Sequence, residues 1–477
     1  SLMHKNPFLT LTILLALPAF GNESRPNIIF FLSDDHRWDS LGCAGHRILK
    51  TPVLDKLAGE GVRFENMFVT TSICAASRAS IFTGLYERTH RYTFGTPPVR
   101  KALFDQAYPT LLRKAGYRTG FTGKFGFGVE GGTKESFDFF HPIGRGPYLK
   151  KQKDGFLRHE TQLCGDRAIE FINDTNEKKP FCLSVCFNAS HAEDGDKRPG
   201  IGHFPWPKVV DGLYDDIRIP TPLYSAPAVY ESQPEYLKKS LNRQRFFWRW
   251  DTPEKFQVNM RAYYRMISGI DHVVGRVRKE LQELGLADNT ILVFSGDNGY
   301  YMGQRGFAGK WSHYEESLRV PLIIYDPRAP MHLRGRTSPE MALNIDIPAT
   351  IIAYAGIEIP EGYQGRNLRS IMNGQSPIDW RTETFCEHLM HYASIPKWEG
   401  VRGQRYVYAH YFEQDKDAEH LHDLVTDPAQ LKNLVSEPEY KNVLVKMRRR
   451  TDEIRDQLGG PYQPNPRRKP NKPVKKK

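Results

Sequence analysis

Two pairs of oxygen-bearing residues stand at the ends of apolar runs that are far apart in the chain. Asp34 and Asp35 follow the first such run, and Asp297 and Asn298 follow a late one. Three carboxylates brought to one place would repel one another without a cation. Because all the ligand atoms are oxygen, the pattern predicts a hard ion, with Ca²⁺ as the first choice and Mg²⁺ as the second. The alternative interpretation is that these residues form turns and helix caps.

Buried strands that alternate with helices must bring these residues together. The apolar runs at 27–32, 181–187, 290–294 and 320–325 each have strand character, and helical patterns separate them. This alternation predicts an α/β fold with a mostly parallel central sheet flanked by helices on both faces. Ligands of such sheets bind beyond the carboxyl ends of the strands, so we expect the polar residues at those ends to converge.

A short run around Cys74 carries a specific resemblance. It is Cys74-Ala75-Ala76-Ser77-Arg78, and Thr83-Gly84 follows it. This run resembles the signature of the type I, formylglycine-dependent sulfatases, Cys-x-(Pro/Ala)-Ser-Arg followed by Thr-Gly. Further segments that resemble the same family extend the likeness over nearly the whole chain: 25–35, 120–124, 295–299, 309–322 and 421–434. The resemblance implies a sulfuric-ester hydrolase with the alkaline-phosphatase-like α/β sandwich and a small C-terminal α+β domain.

The resemblance also implies a role for each matched residue. Cys74 is expected to be oxidised after translation to formylglycine, whose hydrated aldehyde attacks the sulfate beside the metal and later releases it, which a plain cysteine or serine cannot do. The residues expected to hold the metal are Asp34, Asp35, Asp297 and Asn298. Arg78 is expected to hold the nucleophile, and Lys124 and Lys310 to bind sulfate oxygens. His191 is expected to protonate the departing oxygen.

One position departs from the family pattern. The family has a histidine two residues after the matched lysine, as the base of the last step, and this chain has Gly126 there. His36, His90 and His313 lie near matched motifs and are candidates to replace it. His313, three residues after Lys310, is the leading candidate and is included among the expected catalytic residues.

Composition divides the chain into four parts. Residues 1–21 have a charged start, a short apolar core and small residues at the exit, which predicts a signal peptide and a secreted or periplasmic protein. Residues 22–370 are predicted to form the catalytic domain, and residues 371–460 the small C-terminal domain of short strands and a helix. Residues 461–477 contain seven basic residues and no acid, so most of the net charge of +12 lies in a predicted disordered tail. Ser1 and Leu2 precede the first methionine and are expected to be additions.

Residues 196–251 interrupt the alternation of strands and helices. The segment is rich in proline, aromatic and charged residues. Long insertions of this kind are usually lids or binding loops. The segment is therefore predicted to be either substrate-facing or a packed surface excursion.

Six cysteines in a chain of 477 residues do not make a disulfide scaffold. Cys182 and Cys186 lie on one apolar run at even spacing, which predicts two small core residues on one side of a strand. No spacing in the sequence indicates a zinc cluster of cysteine and histidine.

The resemblance implies two partners, a sulfated saccharide as substrate and a formylglycine-generating maturation enzyme. No nucleic-acid partner is expected. Beyond the predicted signal peptide no segment is long and apolar enough to cross a membrane, so no stable membrane insertion is expected. Two other interpretations stay open: a phosphodiesterase or phosphonate hydrolase on the same fold, and a sulfated-glycan-binding protein that has lost turnover, which Gly126 and the basic tail motivate.

Overall fold

A computed structural model describes residues 25–95, 97–174, 179–195, 203–415 and 418–464. The predicted signal peptide lies outside these residues, as does the predicted tail from residue 465 onward. Within the described ranges, no helix combines the length and the apolar character that a membrane span requires.

The strands, in chain order, are β1 Asn27–Ser33, β2 Val62–Phe68, β3 Arg118–Gly123, β4 Phe139–Pro142, β5 Leu149–Lys151, β6 Leu157–His159, β7 Phe181–Cys186, β8 Thr290–Gly296, β9 Tyr301–Met302, β10 Ala308–Gly309, β11 Leu322–Tyr325, β12 Arg336–Leu343, β13 Glu383–His388, β14 Trp398–Gly403, β15 Tyr406–His410 and β16 Glu419–Asp423. The helices are α1 Pro52–Glu60, α2 Cys74–Thr83, α3 Glu87–His90, α4 Lys101–Phe104, α5 Tyr108–Lys114, α6 Glu160–Asn173, α7 Pro227–Glu231, α8 Glu235–Lys238, α9 Leu241–Arg249, α10 Pro253–Glu283, α11 Glu315–Leu318, α12 Asp346–Tyr354, α13 Arg369–Met372 and α14 Lys441–Gln457.

The main sheet has eight strands in the order β12-β2-β11-β8-β1-β7-β3-β4. Its strands run parallel to their neighbours except β11, which is antiparallel to both β2 and β8. The four apolar runs predicted as strands correspond to β1, β7, β8 and β11. The predicted α/β class with a mostly parallel sheet is therefore confirmed.

The central strand β1 shows why helices cover both faces of this sheet. All of its residues are buried, and successive side chains of a strand point to opposite faces. Ile28, Phe30 and Leu32 enter one core, with residues of α2, α5 and α12. Ile29 and Phe31 enter the other, with residues of α1, α6 and α10. A strand that is apolar on both faces requires two layers of helices.

The cysteines behave as core residues. Cys182 and Cys186, on β7, both lie in the core that contains α2, as their even spacing predicts. All six cysteines of the chain are unpaired thiols.

A smaller antiparallel sheet of β13, β14, β15 and β16 follows the main sheet, and α14 packs against it. Arg88, on α3, connects the catalytic part to this small sheet. It pairs with Glu387 on β13 at 2.9 Å and with Glu399 on β14 at 2.6 Å. The small C-terminal α+β unit is thus present. The proposed boundary at residues 370 and 371 falls inside α13 and stays a prediction.

Candidate active site

Four oxygen-bearing side chains meet at the carboxyl edge of the main sheet and are fully buried: Asp34, Asp35, Asp297 and Asn298. They meet because β1 and β8 are parallel neighbours with Ser33 opposite Gly296, so the residues that follow the two strands lie side by side. The backbone N–H of Asp35 donates to Oδ1 of Asp297 at 3.2 Å. The structure therefore brings together the two pairs that are more than 260 residues apart in the chain.

Each carboxylate of this group has a cationic partner. The pairs are Asp34 with Lys124, Asp35 with Lys310 at 2.5 Å, and Asp297 with Arg78 at 2.7 Å. Lys124 follows β3, Lys310 follows β10 and Arg78 lies on α2. Three different segments thus supply positive charge to one point at the sheet edge.

These charges set the protonation of the site. Burial alone would raise the pKa of Asp34, but Lys124, Lys310 and Arg78 together hold it at about 2. Burial and the negative charge of Asp34 raise the pKa of Asp297 to about 6, and burial also raises the pKa of Asp35. Asp34 therefore holds its negative charge most strongly, and a further cation beside Asp35 and Asp297 would favour their ionised forms.

Three buried oxygen atoms show that the residues fit a metal ion. In the part of the chain that the structure describes, no hydrogen-bond donor reaches Oδ1 of Asp34, Oδ2 of Asp35 or Oδ1 of Asn298. The amide nitrogen of Asn298 donates to Asp35 at 2.7 Å and to the Gly299 carbonyl at 2.8 Å, which leaves its oxygen free to coordinate. Buried oxygens without partners cost free energy, and a hard divalent cation satisfies this kind of ligand set.

Cys74 is the first residue of α2 and is 7% exposed. It lines a cavity of about 600 Å³. Other residues that line this cavity are Lys124, Gly126, Arg145, His191 and Lys310. Lys124 and Lys310 also pair with Asp34 and Asp35, so they connect the cavity to the carboxylates at the sheet edge.

Arg78, one helical turn after Cys74, is fully buried and uses all three of its nitrogens. Nε donates to Oδ2 of Asp297, Nη1 donates to the Lys124 carbonyl at 2.6 Å, and Nη2 donates to the Phe187 carbonyl at 3.1 Å. These acceptors follow β8, β3 and β7, respectively. Arg78 therefore fixes the first turn of α2, and with it Cys74, against the edge of the sheet.

His191 follows β7 and lies beside the same oxygens, with Nε2 3.7 Å from Oδ2 of Asp35. Its Nδ1 donates to the Ala192 carbonyl at 2.7 Å, which leaves the lone pair on Nε2. Burial, then the charges of Arg145, Lys310 and other cations, hold the pKa of His191 well below its usual range. His191 is therefore neutral in this state and accepts at Nε2.

Two family models match the chain. The one described as Sulfatase matches residues 26–357, and the one described as N-sulphoglucosamine sulphohydrolase, C-terminal, matches residues 303–457. The chain belongs to the sulfatase family. This confirms the resemblance seen around Cys74, and named sulfatases among its relatives make it a sulfuric-ester hydrolase.

This sulfatase is 28% identical over 505 residues to the N-acetylglucosamine-6-O-sulfatase of Bacteroides thetaiotaomicron, which covers 92% of this chain and 89% of the relative. A structure solved in complex with its substrate, D-glucosamine-2-N,6-O-disulfate, has a TM-score of 0.78 and 24% identity, over 91% of this chain and 98% of that one. The phosphonate monoester hydrolase of Agrobacterium radiobacter has a TM-score of 0.74 and 21% identity, over 91% of this chain and 96% of that one. Likenesses at this level of identity establish the fold.

The structure brings none of the three candidate histidines into the cavity of this sulfatase. The ring nitrogens of His36 contact Ser33 and Ser40, both at 2.9 Å. His90 contacts the Ser80 hydroxyl at 3.0 Å and accepts from the Tyr92 backbone at 3.1 Å.

His313, the leading candidate, is also directed elsewhere. Its Nδ1 lies 2.8 Å from the Tyr411 hydroxyl, and its Nε2 lies 3.2 Å from Nε2 of His422. The expectation that His313 serves as the missing base is therefore corrected. Proximity to Lys310 in the sequence suggested it, but the chain turns into α11 and directs the ring toward the C-terminal sheet.

Gly126 shows why this sulfatase has no side chain at the family's histidine position. Its φ is +87°, and a Cβ built there would lie 3.0 Å from Cδ of Arg78. The backbone conformation and the position of Arg78 both disfavour a larger residue.

Two arginines of the cavity were not predicted. Nη1 of Arg145 lies 2.7 Å from Nε2 of His191, and Arg245 lies over the ring of Trp311 at 5.1 Å. Asp194 lies 3.9 Å from Arg145 and 3.4 Å from Arg245, and it also pairs with Arg249. Arg145 stands in an irregular loop without a motif, so no sequence signal marked it. Arg245 belongs to the insertion at 196–251, and its position in the cavity favours the substrate-facing interpretation.

Proposed function

We propose that this sulfatase removes sulfate from a sulfated carbohydrate, with a formylglycine made from Cys74 as nucleophile and a divalent metal, Ca²⁺ or Mg²⁺, as cofactor. The metal ligands in this proposal are Asp34, Asp35, Asp297 and Asn298. The observation that carries the proposal is the cavity floor, where Lys124 and Lys310 lie beside Cys74 and also pair with the carboxylates that have free oxygens.

A bound metal would supply charge neutralisation for the sulfate, and the formylglycine aldehyde, once hydrated by water, would supply the hydroxyl that attacks sulfur. The other tasks belong to side chains of this chain. Burial opposes the charge of Lys124 and Lys310, but the neighbouring carboxylates raise the pKa of both, so both are cationic and suited to hold sulfate oxygens. Arg78 is fully buried and all three of its nitrogens donate to protein oxygens, so we assign it the task of positioning Cys74.

We assign His191 and Arg145, which both line the cavity that contains Cys74, to the departing oxygen of the substrate. His191 is neutral without substrate, so it must gain a proton before it can donate one to the departing oxygen. A bound sulfate adds negative charge beside the His191 ring and so raises the pKa of His191. The positive charge of Arg145, whose Nη1 lies 2.7 Å from Nε2 of His191, limits this increase in the pKa of His191. Arg145 can also bind an anionic oxygen of the substrate.

The cavity fits a sugar that carries a second anionic group. Its volume of about 600 Å³ suits a small saccharide, and Arg145 and Arg245 line it beyond the two lysines. Trp311, which packs against Arg245, adds an apolar side chain to the cavity lining. The relative named N-acetylglucosamine-6-O-sulfatase supports an amino sugar as the first substrate to test.

A panel of defined sulfated saccharides tests this proposal. It includes singly sulfated, doubly sulfated and carboxylated sugars, with sulfate release measured for each. We expect the fastest release from a sugar with two anionic groups. A variant Arg245→Gln should reduce that preference while release from a singly sulfated sugar changes little. Equal rates on all sugars in both proteins would contradict the second anion site.

The second candidate function is hydrolysis of phosphodiesters or phosphonate monoesters. The structural likeness to a phosphonate monoester hydrolase favours it, because the same charges stabilise phosphorus and sulfur centres. Rates on an aryl sulfate and an aryl phosphodiester separate the two functions. A clear preference for phosphorus would overturn the sulfatase proposal, and binding of sulfated glycans without turnover of either ester would favour the glycan-binding interpretation.

We also propose that the protein is exported to the periplasm or the exterior and meets a formylglycine-generating enzyme during biosynthesis. The composition of residues 1–21 supports export. N-terminal sequencing of the protein from its native host tests this. A mature chain that begins near Asn22 is expected, and a chain that keeps residues 1–21 would contradict it.

A further inference from the structure

Three buried histidines form a cluster between the catalytic part and the small sheet. His313 precedes α11, and His420 and His422 lie on β16. With one ring nitrogen taken from each, the three lie within 4.8 Å of one another. Ring centroids are 4.4, 5.4 and 5.9 Å apart. This cluster takes no part in the cavity that contains Cys74.

Each of these histidines has one ring nitrogen held by an oxygen atom. Nδ1 of His422 donates to the Lys432 carbonyl at 2.9 Å. Nδ1 of His313 lies 2.8 Å from the Tyr411 hydroxyl, and Nε2 of His420 lies 2.8 Å from the Tyr236 hydroxyl. Histidines that bind metals usually have this arrangement, because a hydrogen bond from the outer nitrogen fixes the ring and leaves the other nitrogen as a ligand.

The inner nitrogens lack a complete set of partners. Nε2 of His313 and Nε2 of His422 lie 3.2 Å apart, so a single hydrogen bond is all that they can share. Nδ1 of His420 is buried and, among the described residues, has no hydrogen-bond partner. Burial lowers the pKa of all three rings, so each is neutral and keeps a lone pair.

We propose that His313, His420 and His422 form a second metal site that binds Zn²⁺. Zn²⁺–nitrogen bonds of about 2.0–2.1 Å place two tetrahedral ligands roughly 3.3 Å apart, close to the separation of the two Nε2 atoms. Imidazole nitrogens suit Zn²⁺ and do not suit Ca²⁺ or Mg²⁺, which take oxygen ligands. The site is therefore chemically distinct from the oxygen site at Asp34.

Water supplies the fourth ligand. A cavity of about 300 Å³ adjoins the cluster and is lined by His420, His422 and Gln430. Nε2 of Gln430 is buried without an acceptor among the described residues, so it offers a hydrogen-bond donor to a water there. Arg305, whose charge acts on all three rings, pairs with Glu316 at 3.3 Å, which limits its repulsion of a cation.

The position of the site defines its role. His313 is three residues after Lys310, which pairs with Asp35, whereas His420 and His422 belong to the small sheet. Bound Zn²⁺ would therefore fasten the segment that carries Lys310 to the C-terminal unit. Its contribution is to folding and to the position of Lys310, with no direct contact to the substrate.

Cobalt substitution of the wild-type protein tests the proposal without any variant. Tetrahedral Co²⁺ with nitrogen ligands absorbs strongly in the visible range, whereas Co²⁺ in a six-coordinate oxygen site absorbs weakly. We expect about one equivalent of strongly absorbing Co²⁺ per chain, displaced by Zn²⁺. The absence of this spectrum would show that the histidines form only a hydrogen-bonded chain and would overturn the proposal.

Variants locate the ion. His420→Ala should lose the strong absorption and about one equivalent of Zn²⁺ in elemental analysis, while Asp297→Ala should keep both. His388→Ala, at a buried histidine outside the cluster, is the matched control and should bind as the wild type does. Wild-type Zn²⁺ content in His420→Ala would contradict the assignment, and if that variant does not fold, the wild-type cobalt spectrum decides.

Discussion

Replacement of Arg78 with lysine is expected to weaken the contacts between α2 and the carboxyl edge of the sheet, where Asp297 lies. Lysine keeps the positive charge beside Asp297 but has one nitrogen, so it cannot reach the carbonyls of Lys124 and Phe187 as well. Two buried carbonyl oxygens then lose a charged donor, at about 1–3 kcal/mol each, so we expect the free energy of unfolding to fall by roughly 2–6 kcal/mol. Arg78→Met also removes the positive charge beside the Asp297 carboxylate, so a larger loss than that of Arg78→Lys is expected.

Urea unfolding of the metal-loaded proteins measures this loss. Arg113→Lys is the control, because Arg113 pairs with Asp138 at the surface and should change stability by less than about 1 kcal/mol. Activity should fall by on the order of 100-fold in Arg78→Lys, since displacement of the nucleophile by about 1 Å has an effect of that size. Wild-type stability and turnover in Arg78→Lys would refute the positioning role.

Three other predictions concern the same site. Cys74→Ala should abolish turnover and leave the unfolding transition nearly unchanged, because a small residue at a helix start contributes little to the core; retained activity would remove Cys74 as nucleophile. Metal affinity should rise as the pH increases through about 6, because the pKa of Asp297 is raised to about 6 and the metal competes with that proton. Calorimetric titration of Ca²⁺ from pH 5 to 7.5 measures this affinity. Asp297→Asn should weaken Ca²⁺ binding and make the affinity less dependent on pH. Gly126→His should lower the free energy of unfolding by about 1–3 kcal/mol, because φ is +87° and the new Cβ contacts Arg78. Thermal unfolding measures this loss of stability. Unchanged stability would contradict the explanation given for Gly126.

The sheet and the cluster of oxygen-bearing side chains at its edge were predictable because the signals are local. Buried runs such as 27–32 are apolar at every position, which only a strand covered on both faces explains. The oxygen-bearing residues stand directly after such runs. Because parallel strands bind ligands at their carboxyl ends, this position was enough to predict that Asp34 and Asp297 lie close together. The motif at Cys74 then connected this edge to a specific chemistry.

Features made by long-range packing were not predictable. The three histidines of the second cluster come from segments about 110 residues apart, and no spacing rule connects them. His313 was misplaced for the same reason, since nearness to Lys310 in sequence does not fix the direction of a side chain beyond a turn. Arg145 lies in an irregular loop, where hydrophobic periodicity carries no information about position.

The mass of the tryptic peptide 64–78, from active protein purified from its native host, tests the central claim most directly. This peptide contains residue 74 and ends at Arg78. The account predicts a peptide in which the Cys74 thiol is replaced by an aldehyde, in a fraction that rises and falls with specific sulfatase activity across preparations. Full activity in protein whose peptide carries only unmodified Cys74 would contradict it.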